Sequence, residues 1–202
     1  MTKIKICGLS RPCDIEYVNE AKPDFCGFII NVPKSKRNVS PDTVRQLVKN
    51  LSPDVKPVGV FVNAPMDEIA ALTEDGTLSY VQLHGKEDEA YIAALRERIH
   101  VPIIQAFKVT CPEDVAHAQQ SSADYILLDN GSGGTGKTFD WSHLRDITRP
   151  YILAGGLGPD NLGLAVSQLA PWGVDLSSGV ETDGFKDKNK VLAAVQAVRA
   201  TL

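Results

Sequence analysis

Eight short apolar runs recur along the chain, their starts mostly some 20 to 30 residues apart, and this rhythm constrains the fold more than any other feature. They are "IKIC" from Ile4, "FCGFII" from Phe25, "PVGVFV" from Pro57, "SYVQL" from Ser79, "PIIQAF" from Pro102, "DYILL" from Asp124, "YILA" from Tyr151 and "GVDL" from Gly173. They are too uniformly apolar for strands with one wet face and suit a parallel sheet covered by helices. Between them lie stretches with helix-starting signals: "SPDTVRQLVKN", "APMDEIAAL", "KEDEAYIAALRER", "PEDVAHAQQ" and "GPDNLGLAVSQLA". In the first, Ser40 reads as the N-cap and Pro41 opens the first turn.

Strand and helix in alternation admit an open doubly wound sheet or a closed (β/α)8 barrel. Eight units without an evident linker favour the barrel, although 202 residues sit near the lower edge of its size range. The expected fold is α/β, an eight-stranded parallel (β/α)8 TIM barrel, with residues 1–202 forming one domain. A composition 43% hydrophobic and 23% charged supports a substantial core. The net charge of −4 gives no electrostatic footprint for nucleic acid or an anionic membrane, though it leaves room for a local basic pocket. "MTKIKICGLS" enters a β-like alternation without the apolar centre of a signal peptide, and no later run approaches ~18 apolar residues, so a cytoplasmic protein is expected. Cys7, Cys13, Cys26 and Cys111 show no paired C-x-x-C spacing, and a cytosolic compartment argues against structural disulfides.

A barrel of this kind carries its chemistry at the C-terminal ends of its strands. Those ends are unusually polar here. The first bears Cys7-Gly8, the second "NVPKSKR", the fourth Gln82 with His84-Gly85, and the sixth Asp129 with a glycine-rich loop. The seventh bears Gly155-Gly156 and the eighth Asp175 with "SSG". The loops after strands seven and eight are where barrels commonly bind phosphate, so Gly155, Gly156, Ser178 and Gly179 are candidate phosphate-binding residues.

Taken together, "KICGL", "PKSKR", "GVFVN", "VQLHG", "LLD" with "GGTGKTFDW", "LAGGL" and "GVDLSSGVE" resemble the phosphoribosylanthranilate isomerases of tryptophan biosynthesis, in order and over nearly the whole chain. The resemblance implies an Amadori rearrangement of N-(5-phosphoribosyl)anthranilate, with Cys7 matching the family's general base, Asp129 its general acid and Arg37 the residue that meets the anthranilate carboxylate. Gln82, His84 and Asp175 are expected to line the pocket or orient groups in it. Neither metal nor organic cofactor is implied, the partner is a small-molecule substrate, and a monofunctional monomer or homodimer is expected. A Cys7 thiolate reachable near neutral pH, against an ordinary value of about 8.5, calls for a polar or electropositive pocket. An acid at Asp129 calls for desolvation or a nearby anion. Asn31, Val32, Lys36 and Asn38 depart from the family's usual residues and bear on the shape of the anthranilate end of the pocket.

Gly131 through Thr138 also spell the P-loop pattern G-x-x-x-x-G-K-T. A nucleotide enzyme would need a helix opening at Lys137, yet Phe139 comes next and a helix is expected instead from Asp140, as N-cap of "WSHLRDI". These glycines read better as a lid over substrate. A non-catalytic sugar-phosphate-binding barrel would keep the glycines but have no use for both Cys7 and Asp129.

Overall fold

The structure, a computed structural model, describes residues 1–129 and 140–201. The glycine-rich stretch Gly131–Thr138, expected as a lid, lies outside the described residues. Eight parallel strands form the barrel: β1 (Lys3–Cys7), β2 (Phe25–Ile30), β3 (Lys56–Phe61), β4 (Tyr80–Leu83), β5 (Ile103–Lys108), β6 (Tyr125–Asp129), β7 (Tyr151–Ala154) and β8 (Gly173–Leu176), and a two-residue strand, Asn38–Val39, pairs with the end of β2. Each pairs with the next, and β1 pairs with both β2 and β8, which closes the barrel. Every apolar run of the sequence is one of these strands.

Around the barrel lie α1 (Pro12–Ala21), α2 (Pro41–Val48), α3 (Met66–Glu74), α4 (Glu89–Arg96), α5 (Pro112–Ala118), α6 (Pro159–Leu169) and α7 (Lys188–Arg199). The five signalled stretches are α2 to α6, and the Ser40 hydroxyl accepts the Thr43 amide at 3.1 Å as an N-cap should. The remaining two helices are held by acidic caps. Asp14 Oδ2 accepts the amides of Ser10 and Arg11 at the head of α1, and Asp187 Oδ1 accepts those of Asn189 and Lys190 at the head of α7.

The segment from Asp140 departs from the expected helix. Asp140 does cap, accepting the Ser142 amide at 2.9 Å, but it opens a four-residue 3-10 turn, Trp141–Leu144, and not an α-helix. Too few residues separate the cap from Pro150 for an isolated helix to hold. The chain instead docks on the end of α5, where the Gln119 side chain accepts the Thr148 amide and Arg149 donates to the carbonyls of Ser121 and Ala123.

Period-two alternation sorts the strand side chains into two cores. Ile4, Ile6, Phe28, Phe61, Val81, Leu83, Ile126, Leu128, Leu153 and Val174 point outward to meet the helices. In α7 the buried set Val191, Ala194, Val195 and Val198 has the spacing of one helix face. Inside the barrel a smaller cluster holds Phe25, Val58, Ile104, Leu127, Ile152 and Ala154. Phe25, Tyr80, Tyr125 and Trp172 pack edge-on or tilted against one another at the strand beginnings, so the end opposite the polar strand tips is filled. Among the described residues no helix is long and apolar enough to cross a membrane.

Candidate active site

Near the C-terminal ends of β1, β4, β6 and β8 the inward positions are polar, above the apolar cluster inside the barrel. Cys7 closes β1 and Asp129 closes β6, while Gln82 and Asp175 lie within β4 and β8 rather than after them. Lys5, two residues before Cys7, shares its inward face. In the β1–β8 register Lys5 is the direct partner of Asp175, and Lys5 Nζ donates to Asp175 Oδ2 at 2.9 Å. Both side chains are buried, 2% and 9% exposed, so the pair is shielded from water. Burial pushes the Asp175 carboxyl up, opposed by Lys5; burial would lower Lys5, but Asp175 and Cys7 outweigh it and keep the ammonium charged.

Gln82 Nε2 lies 3.0 Å from His84 Nδ1, and His84 Nε2 lies 3.9 Å from Asp129 Oδ2. With the amide donating to Nδ1, the neutral ring carries its proton on Nε2, on the side of Asp129. Burial holds the imidazole below its ordinary value, with Asp129 acting in the other direction. Among the described residues Gln82 Oε1 and Asp175 Oδ1 are buried without a hydrogen-bond partner. A buried acceptor left unpaired costs on the order of 1–3 kcal/mol, so two of them at one end of the barrel mark positions suited to a ligand's hydroxyl donors.

The Cys7 thiol is also buried. Burial raises it above its ordinary value, while Lys5 and Lys186 pull it down. The electropositive surroundings expected from the sequence are present, but in the free protein desolvation outweighs them.

On the rim, Arg37 runs past Gly8, where a Cβ would come within 2.4 Å of its Cδ. Its Nε and Nη2 donate to the two carboxylate oxygens of Glu181, the second at 2.8 Å. Lys186 Nζ donates to Glu181 Oε1 at 2.6 Å and to the Ser177 carbonyl at 3.0 Å, and Lys36 lies 3.4 Å from Glu181 Oε2. Burial acts to raise Glu181, but Arg37 and Lys186 prevail and hold it down at about 2. The two-residue strands Glu181–Thr182 and Phe185–Lys186 pair antiparallel and so hold Glu181 opposite Lys186.

The loops after β7 and β8 touch each other. Gly155 and Gly156 sit at φ of 88° and 67°, a region that favours glycine, and a Cβ on Gly179 would fall 1.9 Å from the Leu157 carbonyl oxygen. Ser178 and Gly179 form a single 3-10 turn with Val180, and the 155–158 loop leads into the N-terminus of α6. The structure therefore brings the ten sequence-derived candidates to one end of the barrel. Lys5, Gly27, Ser177, Glu181 and Lys186 were not singled out in the sequence. Lys5 carried a signal there, a Lys inside the apolar run "IKIC" and in phase with Cys7; Glu181 and Lys186 read as ordinary surface charges.

Residues 4–197 match the family described as N-(5'phosphoribosyl)anthranilate (PRA) isomerase. The chain belongs to this family. It is 46% identical to the N-(5'-phosphoribosyl)anthranilate isomerase of Endomicrobium trichonymphae, over 99% of this chain and 100% of that one. Identity to the isomerase of Lactiplantibacillus plantarum is 43%, over 100% of this chain and 94% of the relative. A crystal structure of the isomerase from Thermotoga maritima superposes with a TM-score of 0.89 at 37% identity, covering 99% of this chain and 100% of that one. A phosphoribosyl anthranilate isomerase solved in complex with reduced 1-(o-carboxyphenylamino)-1-deoxyribulose 5-phosphate superposes with a TM-score of 0.86 at 36% identity, again over 99% and 100% of the two chains. The eight-stranded closed barrel of these isomerases is thus shared by this member of the family.

Proposed function

We propose that this chain is a phosphoribosylanthranilate isomerase of tryptophan biosynthesis, converting N-(5-phosphoribosyl)anthranilate, an aminoaldose, into 1-(2-carboxyphenylamino)-1-deoxyribulose 5-phosphate, an aminoketose. The observation that carries the reading is the placement of a thiol, Cys7, and a carboxyl, Asp129, at the inward ends of β1 and β6 around one polar barrel mouth, in a chain that belongs to the isomerase family. Asp129 gives a proton to the furanose ring oxygen, the ring C–O bond breaks, and the anilino nitrogen lone pair closes the C1–N bond to a protonated Schiff base. Cys7 then takes the proton from C2, and the C–H electrons move toward the iminium to give an enolamine, which tautomerises to the ketone. This order suits the buried thiol. The cation formed at ring opening sits one bond from the carbon whose proton Cys7 removes, and a positive charge nearby favours the thiolate that desolvation disfavours.

Gln82 Oε1 and Asp175 Oδ1, the two unpartnered acceptors, are suited to the ribose hydroxyls. His84 stands between Gln82 and Asp129 and orients the acid. Gly155, Gly156, Ser178 and Gly179 form the phosphate end, backed by the α6 N-terminus, whose partial positive charge favours an anion. Arg37, with one edge of its fork fixed by Glu181, offers the other to the anthranilate carboxylate. Among the described residues no group of three or more His, Cys, Asp or Glu could hold a metal ion, and the reaction as written calls for none.

The family reading extends to a cytoplasmic enzyme of one domain. A relative from Thermotoga maritima is described as dimeric, with monomers generated from it, and a monomer or homodimer is proposed for this chain. The direct test mixes purified protein with freshly prepared phosphoribosylanthranilate and follows loss of its anthranilate-type fluorescence in metal-free buffer. Turnover supports the assignment, and absence of turnover by a folded preparation rejects it.

A further inference from the structure

Lys5 is among the largest fully buried side chains of the described residues, and it is a cation. Burying an ammonium is costly unless it is paired, and the cost is recurrently accepted where the charge has work to do. The register explains how it is kept. Lys5 faces Asp175 across the β1–β8 ladder, while on its other side β1 runs along β2 with Cys7 opposite Gly27. Gly27 is the opening in that wall. A Cβ there would lie 2.8 Å from Cys7 Sγ, 3.0 Å from Lys5 Cε and 3.1 Å from Lys5 Nζ, so the thiol and the ammonium converge on the space that this glycine leaves empty. Its φ is not in the left-handed region, so backbone conformation does not demand glycine here; room for the two side chains does.

We propose that Lys5 is a positioning residue for the base: its ammonium, anchored by Asp175 and admitted by Gly27, stands beside the Cys7 sulfur and stabilises the thiolate. The role rests on the isomerase reading for its purpose, but the coupling between Lys5 and Cys7 is a property of the free protein. The other charged or titratable groups that bear on the sulfur are Asp175 on β8, Cys26 on β2, Lys186 on the rim strand and Arg37 in the loop after β2, with His84 and Asp129 beyond Asp175. Of these, Asp175 disfavours the thiolate and Lys186 favours it; Lys5 outranks both.

The test is the pH dependence of Cys7 alkylation by iodoacetamide, located by peptide mass spectrometry, which reads the thiolate without needing turnover. In Lys5→Met the midpoint should move up by about one pH unit or more, the size of effect expected from losing an adjacent opposite charge. Because that variant strands a buried carboxylate, Lys5→Met with Asp175→Asn is measured beside it; this pair removes both charges and should still raise the midpoint. Asp175→Asn alone should lower it. An unchanged or lowered midpoint in the double variant overturns the proposal. Wild-type turnover of phosphoribosylanthranilate is scored separately, so a protein that fails as an isomerase yet shows these shifts is told apart from one in which Lys5 does not act on Cys7.

Discussion

Arg37 and Glu181 are separated by 144 residues yet joined in a two-point contact, Nη2 to Oε2 at 2.8 Å and Nε to the other carboxylate oxygen. A guanidinium clamped on one edge keeps its remaining N–H groups pointed one way, so a carboxylate can be met without first ordering a long side chain. Arg37→Ala should therefore raise KM more than it lowers kcat. Glu181→Gln should raise KM by a smaller factor, because the fork is kept but no longer aimed. Steady-state kinetics decide it; a kcat-dominated loss in Arg37→Ala would show that this residue acts in the chemical step.

Cys7→Ser and Asp129→Asn should each lower kcat by on the order of 10²- to 10⁴-fold with KM little changed, since proton transfer is felt mainly in the transition state. Single-turnover measurements on the purified variants check this. Near wild-type kcat in either one removes that residue from the mechanism.

Gly179→Ala introduces a methyl where the Leu157 carbonyl oxygen already lies, 1.9 Å from the Cβ position, so the loops after β7 and β8 must part. Weaker substrate binding is the expected result, with kcat/KM down by roughly tenfold or more, equivalent to about 1.4 kcal/mol. Thermal unfolding with and without inorganic phosphate supplies a second reading: the stabilisation that phosphate confers on the wild type should shrink in the variant. An undiminished phosphate effect with normal KM would place the phosphate elsewhere.

Glu181 gives a pH dependence of stability whose sign can be worked out. Its carboxyl is held at about 2 in the folded protein, against 4.5 for the ordinary group, so it contributes stability fully present above the unfolded value. That contribution is lost as pH falls from about 4.5 through about 2. The difference corresponds to an upper bound of about 3 kcal/mol. Urea unfolding at pH 6 and pH 3 should show a smaller loss on acidification in Glu181→Gln than in the wild type, whatever the variant's absolute stability. Equal losses would show that Glu181 does not carry this part of the acid sensitivity.

The chain sequence was sufficient for what depends on near neighbours. Apolar runs in phase with a pleated strand fixed the eight strands; Ser40 before Pro41 fixed one helix start. Strand-end position then put Cys7, Gln82, His84, Asp129, Gly155, Gly156 and Asp175 near one mouth, because a closed parallel barrel leaves little choice of where those ends go. Local signals failed where the environment was supplied from a distance. The Asp140 cap was legible but the short turn after it was not, because Thr148 and Arg149 find their partners at the end of α5, more than twenty residues back in the chain. Lys5 and Asp175 are 170 residues apart, and the apolar run around Lys5 hints at burial but nothing near either residue names its partner. Closure of β8 on β1 sets that pair; the pairing of β1 with β2 sets Gly27 against Cys7. A sequence specifies which side chains a strand can present inward, whereas the register of the closed sheet decides which of them meet.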